Sequence, residues 1–206
     1  MDESSLIQQA RRGDLQAFNS LVLHYQTLVY NLAYRMMGER ESAADATQDT
    51  FIRAYKNIRR FQGGSFKAWL LRIATNLCYD ELRRHQRQRQ TSLEALYVVE
   101  EDANPALTAQ TESPESYAQR NELAQAIQDC LNRLPPDQRM TAILSDVQGY
   151  SYEEITAIAR ISLGTVKSRL SRARARLRDC LRSKGELIPG RYRLNSKTNE
   201  PTGTMD

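Results

Sequence analysis

The chain has 206 residues, 40% of them hydrophobic, with only 9 Gly and 6 Pro, which excludes a disordered or fibrous chain and leaves room for one or two globular domains. Lys and Arg number 29 against 25 Asp and Glu, a net charge of +4, so any strong field must come from clustering rather than from the total. Cys78, Cys130 and Cys180 are far apart and odd in number, no Cys-x-x-Cys pair exists, and His24 and His85 stand alone; neither a disulfide framework nor a zinc site is suggested, and a reducing cytoplasm fits.

The opening Met1-Asp2-Glu3-Ser4-Ser5 is acidic and lacks an apolar centre, so no signal peptide is expected. No apolar run approaches the roughly 20 residues that span a bilayer, so no membrane insertion is expected. Asp2 or Ser4 is placed to cap a short helix carrying Leu6, Ile7 and Ala10, which Gly13 stops. Asp14 starts a longer one. Phe18, Leu21, Val22, Tyr25, Leu28, Val29, Leu32, Ala33 and Met36 recur at three- and four-residue steps up to Gly38, the pattern of a helix buried in a bundle.

A third helix is expected from about Ser42 to Ile58, with Ala44, Phe51, Tyr55 and Ile58 inward. On it Glu41, Asp45 and Asp49 share a face at i, i+4, i+8. Di-iron bundles need Glu-x-x-His pairs on facing helices, and none is present, so no metal site is expected. A polar docking face for another protein, with Gln48, Asp49 and Arg53 outward, accounts for the same residues. Phe61-Gln62-Gly63-Gly64-Ser65 then reads as a loop whose glycines can take positive φ. Ser65 caps a fourth helix with Phe66, Trp69, Leu70, Ile73, Ala74 and Leu77 inward, so Trp69 reads as core.

From Thr91 to Ser116 there are six acids (Glu94, Glu100, Glu101, Asp102, Glu112 and Glu115), no Lys or Arg, and interruptions at Pro105 and Pro114. No apolar period persists there, and the segment reads as a flexible acidic linker. Ser113-Pro114 opens a second bundle in the order of a helix start. Leu123, Ile127, Leu131 and Leu134 follow, then Met140, Ile143, Leu144 and Val147.

Ser151-Tyr152-Glu153-Glu154 reads as a capping box, in which Ser and Glu reciprocally satisfy free amides at a helix start. Ile155, Ile158 and Ala159 form one apolar face; Arg160-Ile161 breaks it, and Ser162 is suited to cap a second helix. Two short helices joined so tightly form a helix-turn-helix, whose second helix enters the major groove of DNA. In that helix Val166, Leu170, Ala173 and Leu177 fall in one inward stripe. Opposite lie Gly164, Ser168, Ser171, Arg172 and Ala175, flanked by Thr165 and Lys167. From Arg160 to Arg182 eight Lys or Arg residues stand against one acid, Asp179. A solvated salt-bridged helix would need acidic partners that this segment lacks, so the pattern favours DNA binding. After Arg182 an aperiodic tail with Gly, Pro and Asn is expected to be disordered.

Three of these stretches resemble one family. Asp45-Ala46-Thr47-Gln48-Asp49-Thr50-Phe51-Ile52-Arg53-Ala54-Tyr55 looks like region 2.2 of bacterial sigma factors, and Phe61 to Arg84 resembles regions 2.3 and 2.4. Leu134-Pro135-Pro136-Asp137-Gln138-Arg139, with Gly149 to Ile155 and Gly164 to Arg174, resembles region 4. In this order the motifs are similar to the extracytoplasmic-function (group IV) sigma factors of the sigma-70 family, over roughly residues 5–87 and 115–182.

The resemblance implies an all-α protein of two helical domains, a region 2 helical bundle over 1–88 and a region 4 helix-turn-helix bundle over 115–183. A flexible acidic linker, 89–114, would join them, and 184–206 would form the tail. It implies no enzyme, no catalytic residue, no cofactor and no small-molecule substrate. Asp45, Gln48, Asp49 and Arg53 would dock on the clamp helices of the β′ subunit of core RNA polymerase, with the β subunit as a further contact. Phe61, Gln62, Gly63, Gly64, Ser65 and Asn76 would capture a flipped −10 base, with Arg83, Arg84, Arg87 and Arg89 supplying cations for phosphates. Thr165, Lys167, Ser168, Arg169, Ser171 and Arg172 would contact the −35 element of promoter DNA. An anti-sigma factor, commonly used by the family for inhibition, is a further implied partner. The family loop commonly carries an acidic residue and is one position longer, whereas here it reads Gln62-Gly63-Gly64-Ser65. The rival reading is a helix-turn-helix regulator whose first bundle senses a ligand or dimerises; it leaves the Phe61–Arg84 match without an explanation.

Overall fold

The computed structural model describes residues 2–91 and 114–184, and side chains within those spans except at 86–91 and 114–119. The described residues are helical, without strands. The acids of the expected linker before Pro114, and the tail beyond Lys184, lie outside them.

The first bundle holds α1 (Glu3–Arg11), α2 (Leu15–Met37), α3 (Arg40–Asn57) and α4 (Phe66–Thr91), with one 3-10 turn at Ile58–Arg60. Local chemistry sets the ends. Asp2 accepts from the Ser4 amide, and Asp14 from the amides of Gln16 and Ala17, so each helix starts on a side-chain cap. Gly38 closes α2 in the left-handed region at φ 80°. Phe18, Leu21, Tyr25, Val29, Leu32, Ala33 and Met36 are buried along α2, as their spacing predicts. Phe61, Phe66 and Trp69 pack edge-on or tilted with ring centroids 5.3–5.6 Å apart and join the loop before α4 to the core. α4 runs on to Thr91, three residues past the expected end of the first domain.

On α3 the expected inward stripe is rotated. Ala43, Thr50 and Ala54 are buried, whereas Ala44 and Tyr55 are exposed and Phe51 is half-buried; of the expected set only Ile58 is in the core. Small side chains let α3 lie close against its neighbours. The Thr50 hydroxyl can be buried because it donates to the Ala46 carbonyl at 2.6 Å.

The second bundle holds α5 (Pro114–Asn132), α6 (Pro136–Ala142), a π-helical turn over Ile143–Val147, α7 (Tyr152–Ala159) and α8 (Leu163–Ser183). The π turn closes with the Gln148 amide donating to the Ile143 carbonyl at 2.9 Å. Such a turn adds a residue and rotates the helix face, so Val147, expected inward with Ile143 and Leu144, is 51% exposed.

Two features were not expected from the sequence. Cys130 and Cys180 form a disulfide across α5 and α8, their Cα atoms 5.8 Å apart, which corrects the reading that the cysteines suggest no such bond. A separation of 50 residues says nothing about distance once two helices pack side by side. The bundles also share one hydrophobic core, running from Ala10 and Leu21 in the first to Ile155 and Val166 in the second.

Polar pins cross between the bundles. Carbonyls in the last turn of an α-helix lack an intrahelical partner. In α2 the Arg35 carbonyl accepts from Gln128 Nε2 of α5 at 3.2 Å, and the Met36 carbonyl accepts from Arg139 Nη1 of α6. Arg35 Nη1 returns a bond to Gln128 Oε1 at 3.3 Å. Arg139 is 5% exposed, and burial pulls its pKa down to about 10; its Nη2 donates to the Asn132 and Leu134 carbonyls, while its buried Nε has no partner among the described residues. The Lys67 ammonium of α4 lies 4.6 Å from the centre of the Tyr150 ring.

Candidate nucleic-acid interface

The helix-turn-helix is built as its sequence dictates. The Ser151 hydroxyl accepts from the Glu154 amide at 3.2 Å, and Glu154 accepts from the Ser151 amide at 2.8 Å, the reciprocal bonds of a capping box. α7 ends at Arg160, whose φ of 53° is the only positive value at a non-glycine among the described residues. That single left-handed residue makes the turn tight enough for Ser162 to start α8 at once. The Ser162 hydroxyl accepts from the Thr165 amide at 3.2 Å.

α8 then divides cleanly. Val166, Leu170 and Ala173 are buried and Leu177 is half-buried, all on the predicted stripe. Lys167, Ser168, Ser171 and Arg172 are exposed on the other side. Two expected members of that face serve the fold as well. Thr165 is half-buried beside its cap, 2.8 Å from the Ser162 hydroxyl, and Arg169 pairs with Asp137 of α6 at 3.1 Å. Arg174 makes a two-pronged contact with Asp146 at 2.6 and 3.1 Å, which raises the pKa of its guanidinium. These pairs fix α8 against α6 and the π turn from the side, leaving the polar face clear.

The second surface lies around the start of α4. Gly63 and Gly64 have φ of 101° and 84°, which a side chain would strain, and no atom lies within 4 Å of where a Cβ would stand on either. Their loop is therefore open to solvent, with Gln62 and Ser65 exposed beside them. Ser65 caps α4 by accepting from the Ala68 amide at 3.1 Å. Phe61 is 5% exposed and faces Phe66 and Trp69; its size and apolarity make it the anchor of this loop, and it does not reach the surface. Asn76, Arg83 and Arg84 are exposed further along α4. Arg83 lies over the Tyr79 ring at 4.8 Å, and Arg84 pairs with Glu81. Arg87 and Arg89 are on α4 too, but their side chains lie outside the described set.

On the far side of the first bundle Asp45, Gln48, Asp49 and Arg53 are all exposed along α3. Of the four, Gln48 also lines an apolar groove of about 740 Å³ between α2 and α3, with Leu15, Val22, Tyr30, Ile52 and Tyr55. Sequence reasoning missed this groove because it placed Tyr55 in the core. Leu15 at 58% and Ile52 at 42% exposure were the available signal: apolar residues off the buried stripes of two adjacent helices. Among the described residues no group of three His, Cys, Asp or Glu side chains could hold a metal. No helix among them is long and apolar enough to cross a membrane.

Comparison with known proteins follows the same division. Residues 21–88 match the family model of sigma-70 region 2, and residues 124–177 match that of sigma-70 region 4. The ECF RNA polymerase sigma factor SigE of Mycolicibacterium smegmatis is 40% identical over 169 residues, 81% of this chain, which spans 62% of that protein's length. RNA polymerase sigma-H factor of Pseudomonas aeruginosa is 34% identical over 84% of this chain and 90% of its own. SigW of Bacillus subtilis, another ECF RNA polymerase sigma factor, is 36% identical over 85% and 95%. Among solved structures, the sigma factor RpoE in complex with the anti-sigma factor NepR from Bartonella quintana superposes with a TM-score of 0.64. It is 30% identical and covers 82% of this chain and 98% of its own. CnrH in complex with the cytosolic domain of CnrY gives a TM-score of 0.63 at 26% identity, over 86% and 96%. With both regions matched in order and relatives above 30% identity along most of its length, the chain belongs to the extracytoplasmic-function sigma factors of the sigma-70 family, which are transcription-initiation factors and not enzymes.

Proposed function

We propose that each exposed surface serves one step of promoter-directed initiation. The α3 face of Asp45, Gln48, Asp49 and Arg53, with the apolar groove beside it, docks on the β′ clamp helices of core RNA polymerase. The open Gln62–Ser65 loop and Asn76 take a −10 base turned out of the stack, a step that needs a solvent-open pocket of backbone and polar groups with cations nearby. Lys167, Ser168, Ser171 and Arg172 meet the −35 element in the major groove. The protein works in the cytoplasm, where the polymerase is, and an anti-sigma factor binds it, as the anti-sigma factor NepR binds RpoE in the Bartonella quintana complex.

The observation that carries this reading is the separation of roles on α8. The buried Val166–Leu170–Ala173 stripe holds the fold while a small, basic face stands clear of any packing. The test is transcription in vitro: core polymerase with this protein should initiate at discrete start sites, and output no different from core alone would sink the reading. For the docking face, Asp49→Arg should weaken core binding by about tenfold or more while stability changes by less than about 0.5 kcal/mol, since Asp49 is exposed and off the buried stripe. Pull-down with core enzyme, beside a melting curve, measures both.

A further inference from the structure

We propose that the Cys130–Cys180 bond is a redox-operated latch that keeps region 4 folded back on region 2, and that its reduction favours the open arrangement needed at a promoter. The inference rests on the sigma-factor reading above for the need to open, but not for the latch itself.

The need to open follows from lengths. The −35 and −10 elements are separated by about 25 base pairs, roughly 85 Å of duplex at 3.4 Å per step. A compact body of about 160 residues is only on the order of 40 Å across. Here α4, which carries the −10 surface, packs against α7 of the helix-turn-helix, and Lys67 of α4 sits on the Tyr150 ring. Burial lowers the pKa of Arg72 on α4, and the like charge of Arg160 in the helix-turn-helix turn adds to that, a repulsion that the closed arrangement must outweigh. Closed, the protein cannot reach both elements.

Part of what holds it closed runs through α5, beside the contacts that α6, α7 and the π turn make with α2 and α4. At 100° per residue Gln128 and Asn132 share one face of that helix and Cys130 lies on the opposite one. The Gln128 face meets α2: its side chain is 2% exposed and exchanges two hydrogen bonds with Arg35. Asn132 lies against Gly38, so close that a Cβ there would stand 2.5 Å from its amide nitrogen. The Cys130 face is bonded to α8. α5 is thus clasped between α8 and α2, and the disulfide fixes the position from which Gln128 and Asn132 grip region 2. Among the described residues α5 is also tied to the end of α8 by Lys184 to Asp129 at 2.6 Å, a partly exposed ion pair that contributes little.

The chemistry balances with a dithiol as reductant. Its thiolate attacks Sγ of Cys180, the more exposed of the two, while Cys130 at 1% exposure leaves as a thiolate and takes a proton. The second thiol of the reductant then attacks the mixed disulfide, releasing Cys180 and leaving the reductant as its own disulfide. Two electrons and two protons pass to the protein. Cys78 stands apart, buried in region 2 with its thiol pushed up to about 12, so it stays protonated and does not exchange.

Amide hydrogen exchange on the full chain, oxidised and after dithiothreitol, tests the latch. Reduction should speed exchange at residues 35–38 and 126–132 by about tenfold or more while Val166 and Leu170 stay protected. The Cys130→Ser/Cys180→Ser protein should match the reduced form in either buffer. The proposal falls if exchange at the α2–α5 contact is the same in both redox states, or if the double-serine protein still responds to reductant. It falls equally if α8 loses protection as well, which would make the bond an ordinary brace of region 4. Failure of the bond to form in an oxidising glutathione buffer would also overturn it. With core polymerase, the reduced form should initiate more than the oxidised one, and equal activity would end the proposal. If exchange changes as expected but neither form directs initiation, the sigma reading fails and the latch stands.

Discussion

Region 2 and region 4 present exposed reading surfaces, yet they hold them up by different means. Region 2 rests on a long helix and a cluster of rings: Phe18 on Tyr55 at 5.0 Å, Tyr25 on Phe66 at 5.7 Å, and Phe61 on Trp69 at 5.3 Å. Region 4 has a mainly aliphatic centre with Tyr150 as its buried ring, and α6 and α7 span only 7 and 8 residues. It is held by directed bonds: Arg139 to three backbone carbonyls, Arg174 to Asp146, Arg169 to Asp137, and the disulfide. A small bundle buries too little surface to rely on packing alone, so it adds ties. Those ties make region 4 the part that a change in conditions can alter.

The largest effect should come from breaking the apolar half of region 4. Leu170 is 1% exposed on the α8 stripe, so Leu170→Asp buries an unpaired charge and should cost on the order of 4–5 kcal/mol. Circular dichroism should show loss of region 4 helix. A well-folded variant would mean α8 faces the other way, and the assignment of its polar face would fall with it.

Next is the polar half. Arg139→Ala removes the donor for the Met36, Asn132 and Leu134 carbonyls and should cost about 2–3 kcal/mol in urea unfolding. Arg139→Met keeps volume without the desolvated charge and should recover part of that loss. Full recovery would show that packing, not hydrogen bonding, is what Arg139 supplies, and would erase the contrast between the two regions.

Much of this was legible in the sequence because it is local. Asp14, Ser151, Glu154 and Ser162 announce their helix starts through side chains that reach only three residues, and the α8 stripe follows from period alone. What was hidden depends on distance. The α3 stripe was placed one residue off because Phe51 and Tyr55 look more like core than Ala43 and Ala54 do. Close helix packing selects the small residues and leaves the rings to rim a groove. Val147 turned outward because a π turn has no sequence mark as plain as proline. The Cys130–Cys180 bond and the grip of Gln128 and Arg139 on α2 join residues 50, 93 and 103 apart, which no local pattern encodes. For the site, Phe61 was assigned to the surface by its neighbours in the loop; its apolar ring, between two others, was the sign that it belongs inside.

The smallest expected effect is also the most informative about function. Arg172 is exposed on the face of α8 opposite Leu170, and among the described residues it forms no ion pair like that of Arg169 with Asp137. Arg172→Ala should therefore leave stability within about 0.5 kcal/mol. Promoter use should still fall. If Arg172 makes paired hydrogen bonds to a guanine, its loss removes about 1–3 kcal/mol of discrimination at one −35 position and leaves other variants little changed. If it anchors a phosphate, affinity drops nearly equally for every sequence and the salt dependence becomes shallower. Initiation across a set of −35 variants at two salt concentrations separates these roles. Arg169→Ala is the control from the same helix: it should lower stability, because its guanidinium braces α6, and change sequence preference less. Should Arg172→Ala alter neither promoter choice nor affinity, the reading face lies elsewhere on α8, and the contrast between a braced arginine and a free one at Arg169 and Arg172 loses its meaning.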